Sequence, residues 1–181
     1  GEPIYIHVAT DSDFEVALPD SGRNVAAAAA GGQASASSAE PGHPPEDAND
    51  GNWELWEDAP ELPGRTAWMS GRMDPSPERP DWLQVTFPCP RTIDRIVALC
   101  YLPAVNASPR NVLFQVRQGQ EWRTVAAAVD QWSWVLNRQF PPVTTTAIRL
   151  VVSAINDGWH GDRRWMHVLM GPEARNYTAS K

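Results

Sequence analysis

The chain has 181 residues and a net charge of −7, with 42% hydrophobic and 20% charged residues. This length and composition predict one globular domain that buries its apolar surface without disulfides, and they argue against intrinsic disorder. The acidic balance excludes the basic footprint of nucleic-acid-binding proteins and disfavours docking on anionic lipid. No apolar run approaches the roughly 20 residues of a membrane helix, so membrane insertion is not expected either.

Dense turn signals and short alternating segments predict an all-β fold. The sequence has 17 prolines and 12 glycines spread along its length, which leaves little room for long helices. A hairpin at 3–8 and 13–18 is a possible opening element. The alanine-rich segment 24–32 is expected to be extended or irregular, because it is short and has no amphipathic face. Further strands are expected at 34–38, 81–87, 92–102, 111–118, 121–129, 145–154 and 165–171.

Alternation within these segments predicts which side chains enter the core. The predicted core-facing residues are Leu83, Val85, Phe87, Val112, Phe114, Val116, Ile148, Leu150 and Val152. Gly119 and Gln120 form a two-residue hairpin signal between two of the strands. The segment "PCPR", 88–91, is interpreted as the turn of another hairpin, which would keep Cys89 and Cys100 apart. About eight such strands are typical of a jelly-roll β-sandwich.

Residues 39–80 break this pattern. They contain prolines, acidic residues and the three tryptophans Trp53, Trp56 and Trp68, but no strand of useful length. A polar linker would not hold so many indoles. The segment therefore predicts a long ordered loop, and long loops in compact domains are often functional.

Six segments, taken together and in order, resemble a known family. They are "RNVAAAAAGGQASASSA", "DANDGN", "RTAWMS", "PDWLQVTFPCPRTIDRIVAL", "VLFQVRQGQEWRTVAA" and "FPPVTTTAIRLVV". This order is similar to that of the discoidin, or coagulation-factor type C, family, which includes the family 32 carbohydrate-binding modules. The resemblance implies a galactose-binding-like jelly roll over 23–172, with 1–22 as an extension or linker remnant and 173–181 as a tail. It also implies core positions for Trp68, Trp82 and Trp122.

Oxygen-bearing side chains crowd the turn at 47–52, and this composition suits a hard cation. The family resemblance implies a structural calcium held by Asp50, by the carbonyls of Asp47 and Asn52, and by Thr66. The candidate metal ligands are thus Asp47, Asp50, Asn52 and Thr66. Met166 stands near the place where many relatives supply a carboxylate, which counts against the metal. The alternative is an acidic turn held by side-chain hydrogen bonds to the backbone.

A second cluster, "GWHGDRRW" at 158–165, combines indole rings with arginine and histidine. A tryptophan offers a flat apolar plate for the C–H face of a sugar, and arginine offers a rigid fork of donors for its hydroxyls. The candidate sugar-binding residues are Asp157, Trp159, His160, Arg163 and Arg164, with Trp53 and Trp56 as a second set and Trp132 and Trp134 as a third. The alternative is that these indoles pack back on the sandwich.

Catalytic motifs are absent from the sequence: it has no nucleophile elbow, zinc-protease motif, phosphate loop or dinucleotide fingerprint. We therefore expect a noncatalytic carbohydrate-binding module, monomeric in isolation, that binds poly- or oligosaccharide. It would be cut from a larger secreted bacterial protein that acts on polysaccharide. The alternatives are an adhesion module for proteins or cell surfaces, and a structural domain that packs on a neighbouring catalytic domain.

Overall fold

The computed structural model describes residues 24–51, 68–72, 74–100, 109–131, 135–156 and 165–170. Over these residues it contains seven strands, which are β1 (Gln33–Ala36), β2 (Trp68–Met69), β3 (Asp81–Cys100), β4 (Pro109–Gln118), β5 (Glu121–Ala128), β6 (Val135–Ile155) and β7 (Trp165–Met170). Helical structure in the same ranges is limited to the 3₁₀ turns Ala28–Ala30 and Pro45–Ala48. None of the described helices is long and apolar enough to cross a membrane. The predicted all-β class is confirmed, whereas the possible hairpin at 3–8 and 13–18 lies outside the described residues.

The antiparallel pairing of β3 with β6 divides the molecule into two layers. In the first layer, 81–86 of β3 pairs with 147–152 of β6; β1 lies beside β3, and β4 and then β5 lie beside β6. We call this the five-stranded layer. In the second, four-stranded layer, 95–99 of β3 pairs with 135–139 of β6, and β7 and then β2 continue on the β3 side.

Prolines mark the places where the β3–β6 ladder is interrupted. The pairing breaks at 87–90 of β3 and at 140–142 of β6. These interruptions contain Pro88, Pro90, Pro141 and Pro142. Proline cannot donate to a ladder, so within sheets it is confined to edges, strand starts and bulges, and bulges bend the strand that carries them. The two strands pass from one layer to the other at these bulges.

The hairpin predicted from "PCPR" is therefore wrong. The segments 81–87 and 92–102 do not fold back on each other, because 81–100 is the single strand β3. The turn signal at 88–91 corresponds to a bulge at 87–90, which lies opposite Thr146 of β6, whereas Pro141 and Pro142 lie in the second interruption, opposite Asp94. Cys89 lies exposed in this bulge and forms no disulfide, in agreement with the expected separation of the two cysteines.

The core lies between the layers and confirms the predicted alternation. The predicted core-facing side chains of the five-stranded layer are all buried, namely Leu83, Val85, Phe87, Val112, Phe114, Val116, Ile148, Leu150 and Val152. Trp68, Ile96 and Leu136 of the four-stranded layer belong to the same cluster. Burial of this continuous apolar surface is the main source of stability for such a sandwich.

Only one of the three tryptophans predicted to be in the core is there. Trp68 is fully buried, and its indole N–H donates to the Ser38 carbonyl at 2.8 Å. Trp82 and Trp122 are only partly buried and do not join the core cluster. Trp82 points outward because its chain neighbours Asp81 and Leu83 are buried, and Trp122 lies opposite the outward-facing Arg117 of β4.

The alanine-rich segment packs against the start of β1, as an irregular segment with one 3₁₀ turn. Asn49 ties it down, since its Nδ2 donates to the carbonyls of Ala26 at 2.7 Å and Gly32 at 3.1 Å. The backbone approaches so closely here that a Cβ on Gly32 would lie 2.3 Å from the Ala26 carbonyl oxygen. Only glycine fits this position.

Substitution of Gly32 should destabilise the domain through the steric clash of the new Cβ with the Ala26 carbonyl oxygen. We expect Gly32→Ala to lower the free energy of unfolding by about 3 kcal/mol, because the contact is with backbone that cannot rotate away. The control is Gly42→Ala, which has a φ of 86° but no neighbour near its Cβ; its left-handed backbone should cost about 1 kcal/mol. Urea unfolding measures both, and equal losses would contradict the close approach at Gly32.

Candidate functional site

A hydrogen-bond network joins the ends of β4, β5 and β6 at one end of the five-stranded layer. The Nε2 of Gln131 donates to the carbonyl of Pro109, and the backbone N–H of Gln131 donates to the Arg110 carbonyl at 3.2 Å. Asn156, which follows β6, is buried and donates through Nδ2 to the Gln131 carbonyl at 2.9 Å. We call these four residues the loop junction. Their contacts fix the three strand ends relative to one another.

Chain connectivity brings three connecting segments to the loop junction. The segment 101–108 ends at Pro109, 132–134 begins after Gln131, and 157–164 begins after Asn156. Two of these three segments carry tryptophans predicted to bind sugar. Their starting points are one hydrogen bond apart.

An ion pair lies beside the junction. The Nη2 of Arg110 is 2.8 Å from the Oδ1 of Asp130, and the Asp130 backbone N–H donates to the Oδ1 of Asn111 at 2.9 Å. Asp130 has a φ of 50°, a left-handed conformation that aspartate tolerates better than most residues. Both charged groups are exposed, so the pair contributes little to stability. Its effect is to hold the turn that leads from β5 into 132–134.

A buried carboxylate holds a second set of strand ends together. Asp81, the first residue of β3, is fully buried and accepts hydrogen bonds from Ser70 Oγ at 2.5 Å and Ser37 Oγ at 3.2 Å. The Nη1 of Arg72 lies 3.6 Å from the same carboxylate. A buried charge requires such partners, since an unpaired one is very costly to desolvate. This network connects the ends of β1 and β2 to the start of β3.

The segment 157–164 is therefore anchored at both of its ends. It begins after Asn156 in the loop junction and ends at Trp165, which pairs with Met69 in β2. Ser70, the next residue after Met69, is bonded to the buried Asp81. The fold thus fixes where this segment leaves and re-enters the sandwich.

Most of the predicted site residues lie outside the described part of the chain. They are Asp157, Trp159, His160, Arg163, Arg164, Trp53, Trp56, Trp132, Trp134, Asn52 and Thr66. The structure nevertheless orders the three candidate sets by the places where their segments begin. The first and third sets begin at the loop junction. The second set begins after Gly51. Its neighbour Asn49 donates to the carbonyls of Ala26 and Gly32, next to the start of β1, which is the end of that strand away from the loop junction.

The relation between the first and third sets was missed by sequence reasoning. The available signal was polar: Asn111, Gln131 and Asn156 each stand at the end of an apolar, alternating segment. Amide side chains at strand ends commonly bond to the backbone of neighbouring loops. The pairing of a particular amide with a particular strand end, however, depends on the register of β4 with β6.

The described metal candidates are Asp47, in the 3₁₀ turn Pro45–Ala48, and Asp50 beyond it. Burial raises the pKa of Asp47 above its usual value, and the negative charges of Asp50 and then Glu46 raise it further. Asn49 is turned inward, and its carbonyl accepts a hydrogen bond from Ala28 at 2.7 Å. Within the described ranges, no group of three or more histidine, cysteine, aspartate or glutamate residues has the geometry of a metal site.

Residues 33–169 match the model of the F5/8 type C domain family. The chain belongs to this family, also called the discoidin family. The match begins at the first residue of β1 and ends within β7, so it includes both bulged strands and the loop junction. The resemblance read from the six sequence segments is confirmed. A search of curated protein sequences found no significant match to this chain.

Several solved structures with the same fold are carbohydrate-binding modules of bacterial proteins. Chitosan-binding module 1 of a chitosanase/glucanase from Paenibacillus sp. IK-5 superposes with a TM-score of 0.62 at 18% identity, over 82% of this chain and 98% of the module. The family 32 module of Streptococcus pneumoniae EndoD gives 0.62 at 16% identity, over 82% and 98%. The family 32 module of Clostridium perfringens NanJ, solved with galactose, gives 0.59 at 18% identity, over 78% and 94%. At these identities the likeness establishes the discoidin-like β-sandwich fold.

Removal of the Asp81 carboxylate should destabilise the strand ends at which 157–164 re-enters the sheet. We expect Asp81→Ala to lower the free energy of unfolding by about 2–3 kcal/mol, because Ser37, Ser70 and Arg72 lose their shared acceptor. The matched control is Asp74→Ala, since that carboxylate forms only an exposed ion pair with Arg79, and its loss should change stability by less than about 0.5 kcal/mol. Chemical unfolding measures both variants. Similar losses for the two would rule out a special role of the buried network.

Proposed function

We propose that this discoidin-family domain is a noncatalytic carbohydrate-binding module whose ligand site lies at the loop-junction end of the sandwich. The observation that carries the proposal is the bond between Asn156 and Gln131, at 2.9 Å. It brings together the starting points of 157–164 and 132–134, the two tryptophan-bearing segments at this end. Trp53 and Trp56 belong to 52–67, which starts at a different strand end but leads into Trp68 of β2, next to the Met69–Trp165 pair, so they stay a second candidate set.

The residues of the two segments have complementary tasks. We assign Trp159 the role of stacking on the apolar face of a pyranose ring, and Trp132 or Trp134 the role of a second aromatic contact. His160, with Asp157 and the arginines of the same segment, binds the hydroxyl groups. A small site of this kind yields modest affinity after the cost of ordering its side chains.

Known relatives of the fold support a sugar as the ligand class. The Clostridium perfringens NanJ module was solved with galactose, and chitosan-binding module 2 of the Paenibacillus enzyme with chitotriose. These two ligands differ in the configuration and substitution of the sugar ring. The shared fold therefore favours a saccharide here without selecting which one.

The wider role that we propose follows from modest affinity. A weakly binding module is useful when it is joined to an enzyme, since it raises the enzyme's effective concentration at the polysaccharide. We therefore assign the domain to a larger, secreted bacterial protein that acts on polysaccharide. The chain would act outside the cell, as a monomeric module.

Trp159 gives the most direct test of this function. Trp159→Ala should abolish retardation of the protein in affinity gels that contain polysaccharide, and should weaken galactose or chitotriose binding in calorimetry at least about tenfold. Trp159→Phe, which retains a smaller aromatic plate, should retain part of the affinity. Val129→Ala serves as the surface control, because Val129 is an exposed apolar residue after β5.

Binding assays with protein partners, together with gel filtration, separate the two alternative functions. Binding to protein partners, without saccharide binding by the wild type, would replace the proposal with an adhesion role. Concentration-dependent self-association in gel filtration would instead indicate an apolar face that normally packs on a neighbouring domain.

We further infer that the turn at 47–52 holds a structural calcium, through Asp47, Asp50, Asn52 and Thr66. The supporting observation is the position of Asp47 and Asp50 in one partly buried turn, where burial, and then the negative charges of Asp50 and Glu46, raise the pKa of Asp47. A divalent cation would relieve that repulsion, and carboxylate and carbonyl oxygens are the ligands calcium prefers. The inward-turned Asn49 takes no part.

The sign of the Asp47 effect gives a pH-dependent test. A carboxyl whose folded pKa lies above the value of 3.8 is destabilising when ionised, so its contribution is most favourable below pH 3.8 and is lost as pH rises through the folded pKa. Without calcium, Asp47→Asn should therefore unfold at a higher temperature than wild type at neutral pH, and the difference should vanish in acid. Calcium should raise the melting temperature of the wild type and also that of Asp47→Asn, which keeps its backbone carbonyl, but not that of Asp50→Asn, which loses the side-chain ligand. Asp74→Asn, which changes an exposed carboxylate elsewhere, should respond to calcium as the wild type does.

A further inference from the structure

The outer face of the five-stranded layer carries two arginines around one tryptophan. Arg117 alternates with core residues of β4 and points outward, opposite Trp122 of β5. Arg149 lies on β6, two strands away from Trp122 of β5. It also faces outward and lies opposite Gln115 of β4. The guanidinium carbon of Arg149 lies 4.4 Å from the Trp122 ring centre, and that of Arg117 lies 5.6 Å from it. We call Arg117, Trp122 and Arg149 the arginine cluster.

Neutral acceptors hold the two guanidinium groups in place. The Nε and Nη2 of Arg149 donate to Gln115 Oε1 at 3.1 and 2.7 Å. The Nε of Arg117 donates to the Gly119 carbonyl at 3.1 Å, and its Nη2 donates to Gln120 Oε1 at 3.0 Å. Among the described residues, the ion pairs of this protein are formed by other arginines, and no carboxylate pairs with either of these two. Both Nη1 groups therefore remain as donors for a ligand.

The electrostatics of the cluster favour an anion. Burial lowers the pKa of Arg149, and the nearby charge of Arg117 lowers it further. Arginine nevertheless stays protonated, because its ordinary pKa is so high. Two like charges are thus held over one ring in a domain whose net charge is −7. Because the planar fork of arginine matches a carboxylate, an acidic group would relieve this repulsion.

The surroundings of the cluster suit a hydroxylated ligand. Next to it, the Gln115 Nε2 donates to Thr124 Oγ1 at 3.2 Å, and the Gln84 Nε2 donates to Thr86 Oγ1 at 3.1 Å. These exposed or partly exposed amides and hydroxyls cover a sheet face that a polymer can cross without entering a pocket. Such groups exchange hydrogen bonds readily with sugar hydroxyls.

We propose that the arginine cluster is a second binding site, which takes the carboxylate of an acidic sugar such as a uronate. The cluster is distinct from the loop-junction site, since Arg117 lies near the far end of β4 from Pro109, roughly 25 Å along the strand at about 3.3 Å per residue. The choice of a sugar as the ligand rests on the proposed function. The anionic character rests on the cluster itself.

Calorimetry with an oligogalacturonide at low ionic strength tests the site. The wild type should bind it, and Arg149→Gln and Arg117→Gln should each weaken the binding at least about tenfold. The control Arg123→Gln removes the same charge from an exposed position on β5 and should change the affinity less than about twofold. Arg149→Lys should restore only part of the binding, because it keeps the charge and loses the fork.

Three results would overturn the proposal. The first is the absence of oligogalacturonide binding by a wild type that binds neutral saccharide. The second is an equal loss in Arg123→Gln, which would indicate general attraction by positive charge. The third is displacement by sodium sulfate as effective as that by oligogalacturonide, which would indicate a simple anion site. Failure of the loop-junction site is distinguishable, because Trp159→Ala should lose neutral saccharide and keep the acidic ligand.

Discussion

The pairing of β3 with β6 is the contact on which the rest of the structure depends. Each strand belongs to both layers, so a single antiparallel ladder joins the two sheets that enclose the core. The ladder can bend because prolines stand at its interruptions, where no N–H is required. A slip of one residue would turn Leu83 and Leu150 outward in one half of the ladder, and Ile96 and Leu136 outward in the other. The apolar alternation therefore fixes the register of each half separately, and the bulges absorb the difference between the halves.

This arrangement separates the stability of the sandwich from the chemistry at its loop end. The strand ends are held by buried polar groups, Asp81 in one network and Asn156 in the other. Both networks lie inside the points where 132–134 and 157–164 leave the sheets. We therefore expect substitutions within those segments to leave the ladder and the networks intact. A scaffold of this kind can change its ligand through a few loop residues, as expected when function depends on sites built upon a common fold.

Local signals predicted the parts of the structure that depend on local contacts. The β4–β5 hairpin follows from alternation and from Gly119, whose φ of 61° suits the first position of a two-residue loop. The signal at 88–91 failed because prolines favour turns and bulges alike, and the choice depends on the pairing of the flanking residues with Thr145 and Ala147, far along the chain. The candidate site shows the same division. Its residue types could be read from the sequence, but the junction of Gln131 with Asn156 joins positions 25 residues apart and requires the sheet register.

The two proposed binding sites would act independently in electrostatic terms. At physiological ionic strength the screening length is about 8 Å, much shorter than their separation along β4. The distributed negative charge of the domain would thus not cancel the attraction at the arginine cluster, and charge at the cluster would not alter the loop-junction site. A polysaccharide long enough to reach both would gain affinity through effective concentration, whereas a short saccharide would bind at one site only. Discrimination between acidic and neutral polymers would then come from the sheet face, and recognition of the individual ring from the loop end.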